Sequence, residues 1–491
     1  MSLTKVSYAM INATIANVLD YGAVGDGVAD DTAAIRAAIA ASNCVYIPSG
    51  TYKIARTGSE GVILGLKSNF RIYGDGASSV IKFSDAVNAT NFWRIIGISN
   101  TTAGVGYENI TIENLALDGS TDKTDYSPSS EQNHGVFFFS SGDPIDGIVI
   151  NNVQAYSFSG DAFAISTGTK NGRVSNCTAT EWIRQGFNVN GIGDHTIIGN
   201  YALRMATAVA GGSGVHCEPS TSTTNLFITN NIVDSILVGG DSAAQPLYNC
   251  KIIGNTVTGV IRGNFHDGLD IIGNTCSYIE GGRSINTKVI GNQVTADDST
   301  RGIYFVQVLG VGDNIIISEN KVVGSGANPD YGIYVNQLPY GAISNNTVTG
   351  FAFGIGTQGG GYYTITNNYV EGTTYGIVLV SSVTLTSLGS TLVSANNISG
   401  TTADMRISGN YFTDLRIGAN SYANGTISTS GSPVFKRLSP YTQKGTTANR
   451  PTGLSAVTDI GYFYLDTTLD ADGKPIWWNG TAWIDATGAV V

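Results

Sequence analysis

Short runs along the chain alternate apolar and polar residues over a few positions, then break at glycine or asparagine. Runs of this kind, rich in Ile, Val, Thr and Tyr with a period of two, predict strands rather than helices. One phrase returns at the breaks: an aliphatic residue, two small or polar residues, then asparagine. It reads Ile197-Ile198-Gly199-Asn200, Ile228-Thr229-Asn230-Asn231, Ile252-Ile253-Gly254-Asn255, Ile271-Ile272-Gly273-Asn274 and Val289-Ile290-Gly291-Asn292. Later copies are Ile317-Ser318-Glu319-Asn320, Ile343-Ser344-Asn345-Asn346, Ile365-Thr366-Asn367-Asn368 and Ile407-Ser408-Gly409-Asn410. From Asn200 to Asn368 the steps are 31, 24, 19, 18, 28, 26 and 22 residues, the spacing of a stacked repeat. Asparagine tolerates the left-handed backbone of a tight corner and can hydrogen-bond to the coils on either side. The expectation is an all-β parallel solenoid with coils about 4.8 Å apart. An antiparallel sandwich with Asn-rich turns gives no reason for one phrase to recur at one corner.

The 491 residues are enough for a long solenoid, and 63 glycines with 13% charged residues suit a turn-rich chain. A net charge of −11 argues against nucleic acid or an anionic membrane as partner. Cys44, Cys177, Cys217, Cys250 and Cys276 are scattered, without metal-ligand spacing, and read as reduced core residues. No metal or cofactor is expected. The first residues lack an apolar signal core, and no apolar run is long enough for a membrane span. The expectation is synthesis in a cytoplasm, with any action outside reached by a route other than a cleaved signal.

Residues 1–16 read as a lead-in. Gly25-Asp26-Gly27 is a tight turn, and Asp30, Asp31 or Thr32 can cap a helix over about 32–42 that carries Ile35 and Ile39 on one stripe. A strand, turn and strand follow from Cys44 to Ile54. Leu19 through Ile35, followed by Val45-Tyr46-Ile47-Pro48-Ser49-Gly50-Thr51-Tyr52, resembles the opening of the pectate-lyase-like β-helix family, the branch found in phage tailspikes and secreted polysaccharide enzymes. The resemblance implies a right-handed parallel β-helix over 17–430 with an N-terminal capping helix. It also implies a virion tail location, a bacterial surface polysaccharide as ligand, a homotrimer, and other virion tail proteins as partners. It does not identify the reaction, because the motif caps the helix and carries no chemistry. Residues 431–491 read as a small C-terminal β unit. Its Trp477, Trp478 and Trp483 resemble a segment that recurs on phage tail fibres; they either stack on sugars or bury in a subunit contact, and the second is the expectation.

A second phrase, Gly-apolar-variable-apolar-variable, locates the candidate chemistry. Its copies begin at Gly135, Ala162, Gly186 and Gly214, weakly at Ile236, and again at Gly302 and Gly332. Alternation predicts two outward columns. One is Phe137, Ala164, Asn188, His216, Leu237, Tyr304 and Tyr334. The other is Phe139, Ser166, Asn190, Glu218, Gly239, Val306 and Asn336. Aromatic and amide side chains on one face suit a polysaccharide, with Asn188, Asn190, Glu181, Trp182, Tyr304 and Tyr334 as substrate contacts. Glycoside hydrolysis needs two carboxyl groups, about 5–5.5 Å apart for retention or 6.5–9.5 Å for inversion. Glu218 is the first candidate, in a Glu-Pro strand end similar to that of several β-helix carbohydrate enzymes, with Asp241 or Asp161 as its partner. His216 is the candidate base should the chain instead be a lyase acting on a uronic acid. The cluster around His266, Asp267 and Asp270 ranks second. The motif set of the pectin-hydrolysing relatives is absent, so the resemblance does not carry their specific activity. The remaining alternatives are an adhesin that holds sugar without turnover and a purely structural virion spike, which would bind no sugar.

Overall fold

The computed structural model describes residues 15–491 except 57–60, 85–91, 121–130, 205–211, 220–221, 240–245, 284, 298–300, 307–313, 326–328, 339, 360–361, 382–389, 410–413, 432–434, 438–442, 453, 455 and 457–460. The chain divides into two compact units, Met1–Cys276 and Ser277–Val491. Each carries right-handed parallel β-helix, the expected fold.

In the first unit the helix Thr32–Ala41 buries Ile35, Ile39, Ala34 and Ala38. Asp31 precedes it, but its carboxylate accepts from the Val24 and Gly25 amides rather than capping the helix. Beyond it, strands one coil apart pair in parallel on three faces. One face runs through Phe70–Gly74, Tyr107–Asp118, Ile145–Phe158, Thr169–Ser175, His195–Ile198, Thr223–Thr229, Leu247–Ile253 and His266–Ile272. The register aligns Ile72, Ile112, Ile150, Val174, Ile197, Ile228, Ile252 and Ile271 in one stack, every member fully buried. The first residue of the repeated phrase is thus the core of the coil. Full burial of one aliphatic side chain contributes roughly 1.5–3 kcal/mol. Four of the five cysteines are buried and all are free.

The corner after each aliphatic residue separates two roles that the sequence reading had assigned to one asparagine. The left-handed conformation falls on the residue before, at Gly199, Asn230, Gly254 and Gly273. The asparagine that follows is buried and works through its amide. Asn200 donates both its peptide N–H and its Nδ2 to Asn231 Oδ1, at 2.9 and 3.0 Å. Asn231 does the same to Asn255, and Asn255 to Asn274. The second Nδ2 hydrogen goes to a carbonyl of the preceding coil, from Asn255 to Ile228 at 2.9 Å. In earlier coils, Asn114, Asn152 and Asn176 occupy the left-handed position itself.

The second unit repeats the arrangement. Val289, Ile317, Ile343, Ile365, Val393 and Ile417 stack in register, all buried. The amide ladder runs Asn292, Asn320, Asn346, Asn368, Asn396 and Asn420. Its last two members correct the sequence reading, which continued the repeat to Asn410, outside the described residues. The copy at Asn396 hides behind Ala395, a left-handed alanine where Gly or Asn was expected. The glycines that open the second phrase also have a cause. A Cβ on Gly302, Gly332, Gly354 or Gly376 would run into Val322, Val348, Val370 or Ile398, so only glycine fits that column. Solenoid strands continue to Phe435–Arg437. A four-stranded sheet follows, from Gln443–Gly445 through Phe463–Asp466 and Lys474–Trp478 to Trp483–Asp485. Its core is Tyr462, Tyr464, Ile476 and Trp483, with Trp478 packed against it. Trp478 and Trp483 therefore pack within their own small sheet. Among the described residues no helix is long and apolar enough to cross a membrane.

Asn255→Ala would leave the Asn231 N–H and one of its two Nδ2 hydrogens without partners in a buried corner, the other hydrogen staying with the Ile197 carbonyl, and would remove a bond to the Ile228 carbonyl. At about 1–3 kcal/mol for each unsatisfied group, the expected loss is at least about 2 kcal/mol. Thermal unfolding, with amide exchange at residues 228–256 as the local readout, checks it.

Candidate functional site

The first unit presents the predicted column in the predicted register. Phe137 pairs with Ala164, Ala164 with Asn188, Asn188 with His216, and His216 with Leu237. The next member is Arg262, exposed and opposite Leu237. The phrase search passed over it because Val260–Asn264 lacks the leading glycine. The column is not uniformly open, however. Phe137, Ala164 and Asn188 are buried, which corrects the expectation of an outward face at these coils. Phe137 is sandwiched by the His134 ring at 5.3 Å and by the Arg94 guanidinium at 4.0 Å.

Asp161 lies in this covered region and is fully buried. Asn188 Nδ2 donates to its Oδ2 at 2.8 Å, and Arg184 Nη1 stands 3.5 Å from the same oxygen. His134 Nδ1 is 3.6 Å away but accepts the Asp161 peptide N–H at 2.9 Å. That nitrogen is therefore unprotonated, and burial drives the His134 pKa well below its ordinary value, so the contact is not an ion pair. Desolvation outweighs Arg184 and Asn188 at Asp161 and pushes its carboxyl up to about 6. Asp161 Oδ1 and Asn188 Oδ1 are buried without hydrogen-bond partners. The register corrects the proposed pairing with Glu218. Asp161 shares its position with Gln185 and Ser213, two coils back and five residues upstream of Glu218. That is roughly 10 Å across and 16 Å along the strands, beyond either hydrolytic spacing.

The face opens at His216, with Glu218 beside it in the second column. His216 Nε2 lies 3.8 Å from Glu218 Oε2; the histidine side chain is 17% exposed and the glutamate 54%. Asn190 fixes the glutamate from below, its Oδ1 accepting the Glu218 peptide N–H at 2.6 Å. The strand Ser213–Cys217 holds the pair, anchored by the bond between Ser213 Oγ and Gln185 Oε1. Beside that strand, burial pushes the Asp234 carboxyl up to about 6, a perturbed acid that the sequence did not single out. Together these groups offer a base, an acid within reach of it, and an arginine two coils on.

The other candidates are less favourably placed. Trp182 is buried, 5.9 Å from the Arg204 guanidinium, so it is a core ring rather than an open platform. Glu181 is exposed in a left-handed turn and accepts from Ser157 Oγ at 2.7 Å. Asp241 lies outside the described residues. His266 is buried, its Nε2 beside the Val238 carbonyl at 3.1 Å, and burial lowers its pKa to about 4, so it serves packing. In the second unit Tyr304 and Tyr334 are register partners and stack at 5.5 Å, half-buried. Glu280 aligns with Tyr304 from the coil before it. Among the described residues no group of three or more His, Cys, Asp or Glu is placed to hold a metal.

Residues 15–236 match the family model described as rhamnogalacturonase A/epimerase, pectate lyase-like. The resemblance read from Leu19 to Tyr52 is borne out by this match, which covers just under half of the chain. The mannuronan C5-epimerase AlgE2 of Azotobacter vinelandii is 40% identical over 116 residues, 22% of this chain and 11% of that protein. The pre-neck appendage protein of Bacillus phage B103 is 24% identical over 274 residues, 50% of this chain and 29% of that protein. The chain thus spans about a tenth of the epimerase and under a third of the phage protein. Among solved structures, tailspike protein 3 of bacteriophage CBA120 aligns over 97% of this chain and 70% of its own, at 15% identity and a TM-score of 0.42.

Because folding raises the Asp161 pKa from about 3.9 to about 6, the folded chain holds this proton more tightly than the unfolded one. The stability contributed by the neutral carboxyl is present below about pH 4 and is lost as pH rises through about 6; Asp234 acts in the same direction. Melting temperature should therefore fall between about pH 4.5 and 7, and Asp161→Asn should flatten that fall. Scanning calorimetry across the window checks it.

Proposed function

We propose that this pectate-lyase-like β-helix works in a phage tail, as a homotrimer among other virion tail proteins, where it binds a bacterial surface polysaccharide and modifies it at His216 and Glu218. The observation that carries the reading is the His216–Glu218 approach of 3.8 Å where the column emerges from the covered coils of Phe137, Ala164 and Asn188. A half-exposed carboxylate beside an imidazole can pass a proton to or from a glycan oxygen, and Asn190 ties down the Glu218 backbone. Kinship with a phage appendage protein supports the tail setting, and kinship with a polysaccharide epimerase supports the substrate class.

Cleavage by glycoside hydrolysis needs a second carboxyl near Glu218. Asp161 is too far by register, which leaves Asp241 as the partner in that chemistry. A second reading, elimination at a uronic acid, is favoured by Arg262. There His216 would take the proton next to the sugar carboxylate, a C=C bond would form as the C–O bond to the neighbouring sugar breaks, the departing oxygen would take up a proton from solvent, and Arg262 would hold the carboxylate charge. The two readings give different products: new reducing ends without ultraviolet absorbance for hydrolysis, an absorbing unsaturated end for elimination.

Incubation with purified capsule or lipopolysaccharide from candidate hosts should shorten the glycan, and Glu218→Gln should slow that shortening by at least about 100-fold with little change in binding. Unchanged cleavage by Glu218→Gln would remove this residue from the mechanism. Binding without shortening by the unmodified protein would leave an adhesin.

A further inference from the structure

The second unit carries an aromatic surface that the chemistry at His216 does not use. Two columns three residues apart meet on it. One runs Tyr304, Tyr334, Gly356, Val378 and Arg406; the other runs Tyr331, Phe353, Tyr375 and Ala403. Tyr331 lies 4.5 Å from Tyr334 and 4.7 Å from Phe353, and Phe353 stacks on Tyr375 at 5.9 Å and 8°. Gly356 makes the continuity possible, because a side chain there would collide with the rings of Tyr331 and Tyr334. All of these rings are half-buried, so each keeps part of its surface in solvent.

The ends of this surface are cationic. The Arg301 guanidinium lies 4.1 Å from the Tyr304 ring centre and is 42% exposed, with Asp330 at 3.5 Å. Arg406 lies 5.4 Å from the Tyr375 ring centre and makes no carboxylate pair among the described residues. A guanidinium flattened on an aromatic ring keeps its in-plane N–H donors available, the arrangement that grips a carboxylate through two bonds. Acids near this surface include Asp330, already paired with Arg301, Glu280, one coil before Tyr304, and Asp404, two residues before Arg406 but buried and accepting the Gly400, Asn424 and Thr426 peptide N–H groups. On a chain of net charge −11, two arginines flanking a run of half-buried rings stand out.

We propose that this surface is a binding site for an acidic polysaccharide of the uronic-acid class, with sugar rings on the tyrosines and carboxylates on Arg406 and Arg301. The inference rests on the reading of the chain as glycan-binding, but not on turnover at Glu218.

The test is calorimetric titration of the full chain, in the Glu218→Gln background to prevent turnover, with oligomers of mannuronate and of galacturonate and their carboxyl-reduced counterparts of equal length. At least one uronate oligomer should bind. Arg406→Gln and Tyr304→Ala should each weaken it about tenfold or more, the scale of one charge-assisted pair or one stacked ring, with unchanged melting temperature. The carboxyl-reduced oligomer should bind at least about tenfold more weakly. Absence of binding by every uronate oligomer, equal binding of the reduced form, or indifference to both substitutions would overturn the proposal. So would Arg406-dependent self-association without oligomer binding, which would make the surface a contact between copies of the chain. Loss of the Glu218 function would show instead as unchanged glycan shortening by Glu218→Gln, with the titration unaffected.

Discussion

Everything else in each unit depends on a buried amide that talks to its copy in the next coil. A primary amide left unpaired inside a protein is costly, and here each one is satisfied by the coil before and the coil after. Because both the peptide N–H and the Nδ2 of one asparagine converge on a single Oδ1 of the next, the contact fixes position along the strand as well as distance between strands. A slip of one residue would move the asparagine out of its corner and the aliphatic stack out of the core. The ladder thus sets the register, and the register decides which side chains share a column on the surface.

That chain of causes explains what could be read in the sequence. The aliphatic-x-x-Asn phrase exposed the solenoid because the corner geometry demands it in each coil. Phe137, Ala164, Asn188, His216 and Leu237 could be aligned by eye because the register is strict. Arg262 and Glu280 escaped because their strands open without the glycine that marks the other copies, and Asn396 escaped because an alanine takes the left-handed position before it. Burial was the larger omission. Alternation says which way a side chain points but not what is laid over it, so Asn188 and Trp182 looked open and are covered.

The same cover separates two acids that the sequence treated alike. Glu218 stays at the edge of the covered zone, half in solvent and next to a histidine, while Asp161 sits inside it with its pKa raised to about 6 by burial. Identical chemistry in the side chain yields a reactive candidate in one place and a structural carboxyl in the other, because water reaches only one of them. His134 and His266 follow the same rule: both are withheld from protonation by burial, and only His216 keeps an open approach among the three histidines in or near the column.

The tolerance of the ladder for unequal coils has a wider consequence. Successive ladder asparagines are separated by anything from 19 to 31 residues in the first unit, yet the bonds between them stay at 2.9–3.0 Å. The corner therefore ignores how much chain is spent elsewhere in the turn. Each coil also offers an acceptor to the coil before it and donors to the coil after, so any two coils present matching ends. A chain of this kind can gain or lose whole turns and redecorate its exposed loops independently, keeping a constant scaffold while its surface changes.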